Sequence, residues 1–125
     1  MSGLTMLWLE DEPLHLDPER MAGFYVDLGE AQAQVAMARS MSALRRKLGR
    51  AAMHNANENW NSLARTARSI ATIADPLGLS SLSAVARDVA RTAEAEDHVA
   101  LAATMARLER VSDRSFKMMS QMQHF

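Results

Sequence analysis

The sequence predicts an all-α protein: an antiparallel up-and-down four-helix bundle with a short additional N-terminal helix. Helix formers such as Ala, Leu, Met, Arg and Glu predominate in the 125 residues, and only 5% are aromatic. Apolar residues recur at three- and four-residue spacing in five successive segments. Because the connections between these segments are short, consecutive helices should lie antiparallel.

We expect one bundle domain in residues 17–125, preceded by an arm of apolar and acidic residues, 1–16. Within this arm, Leu4–Leu9 is too short for a secretory signal and has no basic residue before it. No apolar run approaches the roughly 20 residues that span a bilayer. We therefore expect a cytoplasmic protein without membrane association. We expect Leu4–Leu9 to pack on the bundle as a strap; the alternative is an exposed arm that recruits a partner.

The composition excludes several classes of chemistry. The chain has no cysteine, which rules out disulfides, thiolate metal sites and cysteine nucleophiles. Its formal charge of −1 gives no global reason to expect nucleic acid or an anionic membrane as partner. It shows no Ser-His-Asp set, no glycine-rich phosphate loop and no clustered carboxylate pair. We therefore predict no enzymatic activity, no cofactor and no metal.

The first predicted helix has a clear beginning and end. Asp17 offers a capping carboxylate, Pro18 suits the first helical position, and Glu19 places an acid in the first turn. Gly29 can end the helix. The apolar residues between these signals recur at helical spacing: Met21, Phe24, Tyr25 and Leu28.

The second predicted helix is long and amphipathic. Arg39, Arg46 and Arg50 fall on its polar face. Its apolar stripe consists of Ala33, Met37, Met41, Leu44, Leu48 and Ala51. A basic run on this helix is typical of a solvated face; the alternative is a docking site for an acidic partner. The run consists of Arg45, Arg46, Lys47 and Arg50. Nucleic acid is disfavoured because no aromatic residues interleave with it.

The third predicted helix opens at Asn55, which forms a capping-box pattern with Glu58, and Pro76 closes it. Its apolar stripe consists of Trp60, Leu63, Ala67, Ile70 and Ala74. Asn61, Arg65, Arg68 and Thr72 share a flank away from the centre of this stripe. We call these four residues the arginine strip, and we expect a partner to reach it.

Two further helices complete the bundle. Ser80 or Ser81 can cap the fourth, whose inward residues are Leu82, Val85, Ala86, Val89 and Ala93. Asp97 can cap the fifth, which carries Leu101, Met105, Leu108, Phe116 and Met119. Ser112 and Ser115 interrupt that last stripe, so the C-terminal part of the fifth helix should be less well buried.

Residues 62–82, SLARTARSIATIADPLGLSSL, resemble the signature of histidine phosphotransfer (HPt) domains. That family carries an Ala-His-x-Leu-Lys-Gly run on one helix, followed downstream by a Leu-Gly pair and a further Leu. Matching those markers to Leu77, Gly78 and Leu82 puts Arg68 at the phosphoacceptor position. The resemblance covers about residues 41–116 and implies a four-helix antiparallel bundle with a short leading helix.

The departures from the family pattern lie at the chemical positions. Arg68 replaces the histidine, and Ala71 and Thr72 replace the Lys and Gly that follow it. A guanidinium stays protonated and has no lone pair to offer a phosphoryl group. In the family, the Lys helps to hold the phosphoryl group and the Gly leaves room for the docking receiver domain. The resemblance therefore implies a family member that does not transfer phosphate.

We accordingly predict a non-catalytic HPt-like protein that binds a receiver domain or a histidine kinase domain, as adaptor or inhibitor. The arginine strip, with Arg46 and Arg50, would present cations to the acidic pocket of a receiver. HPt domains are commonly monomeric, whereas an exposed Leu4–Leu9 arm would favour a homodimer. A first alternative is a structural or regulatory bundle protein outside phosphorelay signalling.

A second alternative is an active phosphotransferase that uses another histidine, such as His54. No Lys-Gly pair follows His54 at the family distance, and the asparagines around it are typical of a turn. The other histidines are His15, His98 and His124, and no two histidines have the i, i+4 spacing of a helical metal pair.

Overall fold

The computed structural model describes residues 13–122, and this part of the chain contains five α-helices and no strand. The helices are α1 Pro18–Leu28, α2 Glu30–Ala56, α3 Trp60–Ala74, α4 Ser80–Glu94 and α5 His98–Met122. The all-α prediction is confirmed. The segment Leu4–Leu9 lies outside the described residues, so its packing stays a prediction. No helix within residues 13–122 combines the length and apolarity needed to cross a membrane.

The buried faces of α3 and α4 follow the predicted stripes closely, whereas on α1 only Met21 of the predicted stripe is buried and Leu28 is 40% exposed. Every residue predicted to point inward on α4 is buried, and on α3 only Trp60 stays partly exposed. Each long helix packs against the next one in the chain, and α1 packs on α2. The largest fully buried side chains include Met37, Leu44, Leu63, Ile70, Leu82 and Leu101. One continuous core therefore holds the helices together.

The C-terminal part of α5 is better buried than the sequence indicates. Ser112 and Ser115 are 5% and 1% exposed, and Met119 beyond them is buried too. The Ser115 hydroxyl donates to the carbonyl oxygen of Val111 at 2.7 Å, and Ser112 donates to Glu109 at 3.0 Å. Because each hydroxyl is satisfied within its own helix, burying these two serines leaves neither hydroxyl unpaired. The expectation of a poorly buried C-terminal part was wrong.

Asp17 and Asp97 cap their helices as predicted. The carboxylate of Asp17 accepts from the backbone N–H of Arg20 at 3.2 Å, and that of Asp97 accepts from Ala100 at 3.1 Å. The predicted serine cap of α4 is absent: Leu79 holds the N-cap position without a side-chain hydrogen bond. The Ser81 hydroxyl accepts from the backbone N–H of His15 at 2.7 Å instead.

The junction between α2 and α3 lies further along the chain than predicted. Asn55 belongs to the last turn of α2, so the predicted capping box with Glu58 does not form. Glu58 adopts a left-handed φ of 56°, which turns the chain. The side chain of Asn59 then caps α3 by accepting from the N–H of Ser62 at 3.4 Å. The correction moves the beginning of α3 to Trp60.

Gly78 joins the start of α1 to the turn between α3 and α4. The backbone N–H of Asp17 donates to the carbonyl oxygen of Gly78 at 2.8 Å. Gly78 has a φ of +77°, and a Cβ atom added there would lie 2.6 Å from the carbonyl oxygen of Asp17 and 2.4 Å from Met21 Cγ. Only glycine fits this contact without displacement. The Leu77-Gly78 pair therefore has a structural role in docking α1.

Candidate protein-interaction surface

The arginine strip lies on one exposed flank of α3. Asn61, Arg65, Arg68 and Thr72 are all exposed, and the side chain of Arg68 retains 51% of its accessible surface. The core face of the same helix is fully buried from Leu63 onward. This contrast follows from the helical repeat, because residues three and four apart share a face. The flank is therefore accessible to another protein.

Hydrogen bonds within α3 position part of the strip. Arg65 Nη2 donates to the Ser62 hydroxyl at 3.3 Å, one turn earlier. The Thr72 hydroxyl donates to the backbone carbonyl of Arg68 at 3.0 Å. This second bond directs the Thr72 oxygen toward the helix and leaves its methyl group to the surface. The strip thus presents two guanidinium groups between a neutral amide and a methyl group.

Arg68 forms an ion pair with Glu94, the last residue of α4. Arg68 Nη1 donates to Glu94 Oε1. This hydrogen bond lowers the pKa of the Glu94 carboxyl and raises the pKa of the Arg68 guanidinium. Because the pKa of Glu94 is lowered on folding, the pair stabilises the protein at neutral pH, and this contribution disappears as the pH falls through the lowered value.

The sequence did not indicate that Glu94 belongs to this surface. Together with Asn61, Ala64 and Arg65, it lines a shallow cleft of about 400 Å³ between α3 and α4. Glu94 stands 26 positions after Arg68, and its only sequence signal is its place in the acidic turn that ends at Asp97. Which residue of α4 meets Arg68 depends on how the two helices pack, which no local pattern specifies.

Arg46 and Arg50 are exposed on α2, on the other side of α3 from Glu94. Arg46 donates to the Ser42 hydroxyl at 3.0 Å and lines a cleft of about 480 Å³ that also contains Ile73. Ile73 lies five residues beyond Arg68, which places it about 140° around the α3 axis. Arg46 and Arg68 therefore flank α3 on two sides and do not form one cluster.

The three described histidines lie on different parts of the fold, before α1, on α2 and at the start of α5. His54 lies in the last turn of α2, partly buried, and its carbonyl oxygen accepts from the N–H of Asn59 at 2.9 Å. The sequence predicted that His54 lies in a turn between helices, and this prediction was wrong because the residue is helical. His98 begins α5 and contacts the ring of Trp60 edge-on, with 5.2 Å between ring centroids. His124 is outside the described residues. Across residues 13–122, no cluster of three or more His, Asp or Glu side chains could hold a metal ion.

A cleft that the sequence pattern does not predict separates α2 from α5. It measures about 570 Å³, and its lining includes Leu48, Ala52, Met105 and Phe116. The guanidinium carbon of Arg45 lies 4.7 Å from the centroid of the Phe116 ring, so a cation–π contact bridges the two helices. Arg45 therefore has a packing role, which separates it from its basic neighbours on α2.

No family model, curated protein or solved structure matches the chain. The resemblance to HPt domains therefore rests on the residues of the sequence alone.

Proposed function

We propose that this chain is a non-catalytic HPt-like bundle that binds a receiver domain or a histidine kinase domain, as an adaptor or an inhibitor. The observation that carries the proposal is the exposed arginine strip, with Arg68 where the family has its phosphoacceptor. We also propose that α2 to α5 adopt the antiparallel HPt arrangement. The packing of each long helix on the next, across short connections, supports that order.

The chemistry of the strip favours binding over phosphoryl transfer. A receiver domain carries an acidic pocket around its phosphorylated aspartate. Arg65 and Arg68 can donate charge-assisted hydrogen bonds to carboxylates or to a phosphoryl group. Neither residue can accept a phosphoryl group, because a guanidinium has no available lone pair. Docking on the strip would occupy the receiver without relieving it of phosphate.

The charge distribution suits a transient regulatory contact. The positive charge of the strip is confined to two exposed arginines, and the side chain of Arg68 retains 51% of its accessible surface. The chain as a whole carries a formal charge of −1. Surface charges of this kind steer a partner and fix its orientation more than they add affinity. A receiver held in this way would be sequestered, or its phosphorylated lifetime would change.

The first prediction tests the strip with Arg68→Ala. We expect this variant to bind a receiver domain roughly tenfold more weakly, because charge-assisted hydrogen bonds at a partly desolvated interface are lost. Its melting temperature should stay within about 2 °C of wild type, since the side chain is a surface one. Amide shifts followed by NMR, with purified receiver domains as titrants, would measure both the affinity and the location of binding.

Arg107→Ala is the matched control. Arg107 also pairs between helices, with Asp88 at 3.9 Å, and its side chain is 45% exposed, but it belongs to α5. This variant should bind like wild type. Binding through the strip should also weaken steeply between low and physiological salt. If neither a receiver domain nor a histidine kinase domain shifts residues 61–72, the bundle has a structural or regulatory function outside phosphorelay signalling.

A further inference from the structure

Glu94 occupies an electrostatically unfavourable place for an acid. It is the last residue of α4, and the partial negative charge at a helix C-terminus repels a carboxylate. Its side chain is nevertheless 46% exposed and directed to Arg68 on the neighbouring helix. Helix stability gives no reason for a glutamate there. The contact with Arg68 gives such a reason, since its attraction for the carboxylate offsets the repulsion from the helix C-terminus.

The same contact occupies the guanidinium that an acidic partner would use. Glu94 also lines the cleft between α3 and α4 beside Asn61 and Arg65. A carboxylate that approaches Arg68 must therefore displace Glu94 or share the guanidinium with it. Displacement is feasible, because ion pairs between exposed side chains are weak. With Glu94 ionised, the two arginines and this glutamate carry one net positive charge rather than two.

We propose that Glu94 is an intramolecular competitor, which holds Arg68 in the unbound protein and thereby lowers the affinity of the arginine strip for receiver domains. This inference rests on the proposed function, because it concerns the regulation of the same surface. It assigns a specificity role to Glu94: a partner gains affinity from Arg68 only to the extent that its acidic group interacts with the guanidinium better than the Glu94 carboxylate does.

The second prediction follows from removing this charge without changing the shape of the side chain. Glu94→Gln should bind a receiver domain about two- to fivefold more tightly than wild type, which corresponds to the usual strength of an exposed pair. Glu96→Gln is the control, because Glu96 is an exposed acid two residues further in the same turn. That variant should change the affinity little, since the effect requires contact with Arg68 rather than net charge alone.

A double substitution separates competition from other effects. In an Arg68→Ala background, Glu94→Gln should produce no gain in affinity, because the competitor then has nothing to hold. Equal gains with and without Arg68, or a Glu94→Gln affinity no tighter than wild type, would overturn the inference. In both cases the proposed function would survive, provided that Arg68→Ala alone still weakens binding.

The competition also has a readout that needs no receiver. The guanidinium NMR signals of Arg68 should differ between wild type and Glu94→Gln but not between wild type and Glu96→Gln. Identical guanidinium signals in all three proteins would show that the pair does not form in solution and would overturn the inference directly. A shifted signal together with no binding of any receiver would instead refute the inference about receiver affinity, and the proposed function would fall as well if no histidine kinase domain bound either.

Discussion

Gly78 illustrates how a single residue can satisfy two different interpretations of a sequence. As part of the Leu77-Gly78 pair, it supports the resemblance to HPt domains. In the structure it also allows the start of α1 to contact the turn before α4, through its carbonyl oxygen and its left-handed φ of +77°. The structural requirement alone is sufficient reason for glycine at this position, so the pair is weaker evidence for the family than its pattern suggests.

The third prediction concerns Gly78→Ala. The added Cβ would lie 2.6 Å from the backbone oxygen of Asp17, in a conformation that disfavours side chains. We expect the free energy of unfolding to fall by about 2–4 kcal/mol, from left-handed strain and overpacking together. Urea unfolding followed by circular dichroism would measure the change.

Gly49→Ala is the natural control for this substitution. Gly49 lies inside α2, and a Cβ atom there would meet nothing within 4 Å. The same chemical change should therefore raise the free energy of unfolding by about 0.5–1 kcal/mol, as expected for alanine in a helix interior. A Gly78→Ala protein as stable as wild type would show that the contact with Asp17 is not tight in solution.

At the scale of single residues, the surroundings of the arginine strip were predictable only in part. Helical spacing sufficed to place Arg68 and its neighbours on an exposed flank, because the core stripe of α3 fixes which side faces outward. The partner of Arg68 was not predictable. Glu94 lies on another helix, and the axial offset between α3 and α4 depends on how their buried side chains interdigitate.

At the scale of elements, the helix ends with a unique capping residue were predicted correctly, and those with several candidates were not. Asp17 and Asp97 each stand alone at the beginning of an apolar stripe, and both cap. Around the junction of α2 and α3, asparagines occur at every second position: 55, 57, 59 and 61. Capping preference is the same for all four, so packing of the flanking helices selects Asn59.

The fourth prediction tests that selection. Asn59→Ala should lower the free energy of unfolding by about 1 kcal/mol, because the side-chain bond to the N–H of Ser62 is lost. Asn55→Ala should change it by less than about 0.5 kcal/mol, since this residue lies in the last turn of α2, where alanine is a good helix former. Thermal unfolding of both variants would decide, and the reverse order of effects would restore Asn55 as the cap.

At the scale of the whole molecule, the bundle closes unevenly. Consecutive long helices pack directly, whereas a cleft of about 570 Å³ separates α2 from α5. The stripe pattern does not predict this cleft, because it indicates which face of each helix is buried but not the distance between helices far apart in sequence. Arg45 and Phe116 bridge the cleft: the guanidinium of Arg45, a member of the basic run on α2, lies over the ring of Phe116 on α5.

The fifth prediction is that the intact protein does not accept phosphate. Incubation with a phosphorylated receiver domain should leave no acid-labile, base-stable phosphate on the chain, whereas an active HPt domain treated alike should become labelled. His54 is unsuited as acceptor, because it is partly buried at the end of α2. It is also distant from the position that matches the phosphoacceptor of the family. Its carbonyl oxygen bonds to Asn59, which lies about 13 Å along α3 from Arg68.

Arg68→His provides the sharper form of this test. It restores an imidazole at the exposed position, yet Ala71 and Thr72 still replace the charged and the small residue that assist transfer in the family. We therefore expect at most weak labelling of the variant, measured as phosphohistidine by mass spectrometry. Labelling of the wild-type chain at His54, or at any other histidine, would contradict the prediction, and the protein would then be an active phosphotransferase.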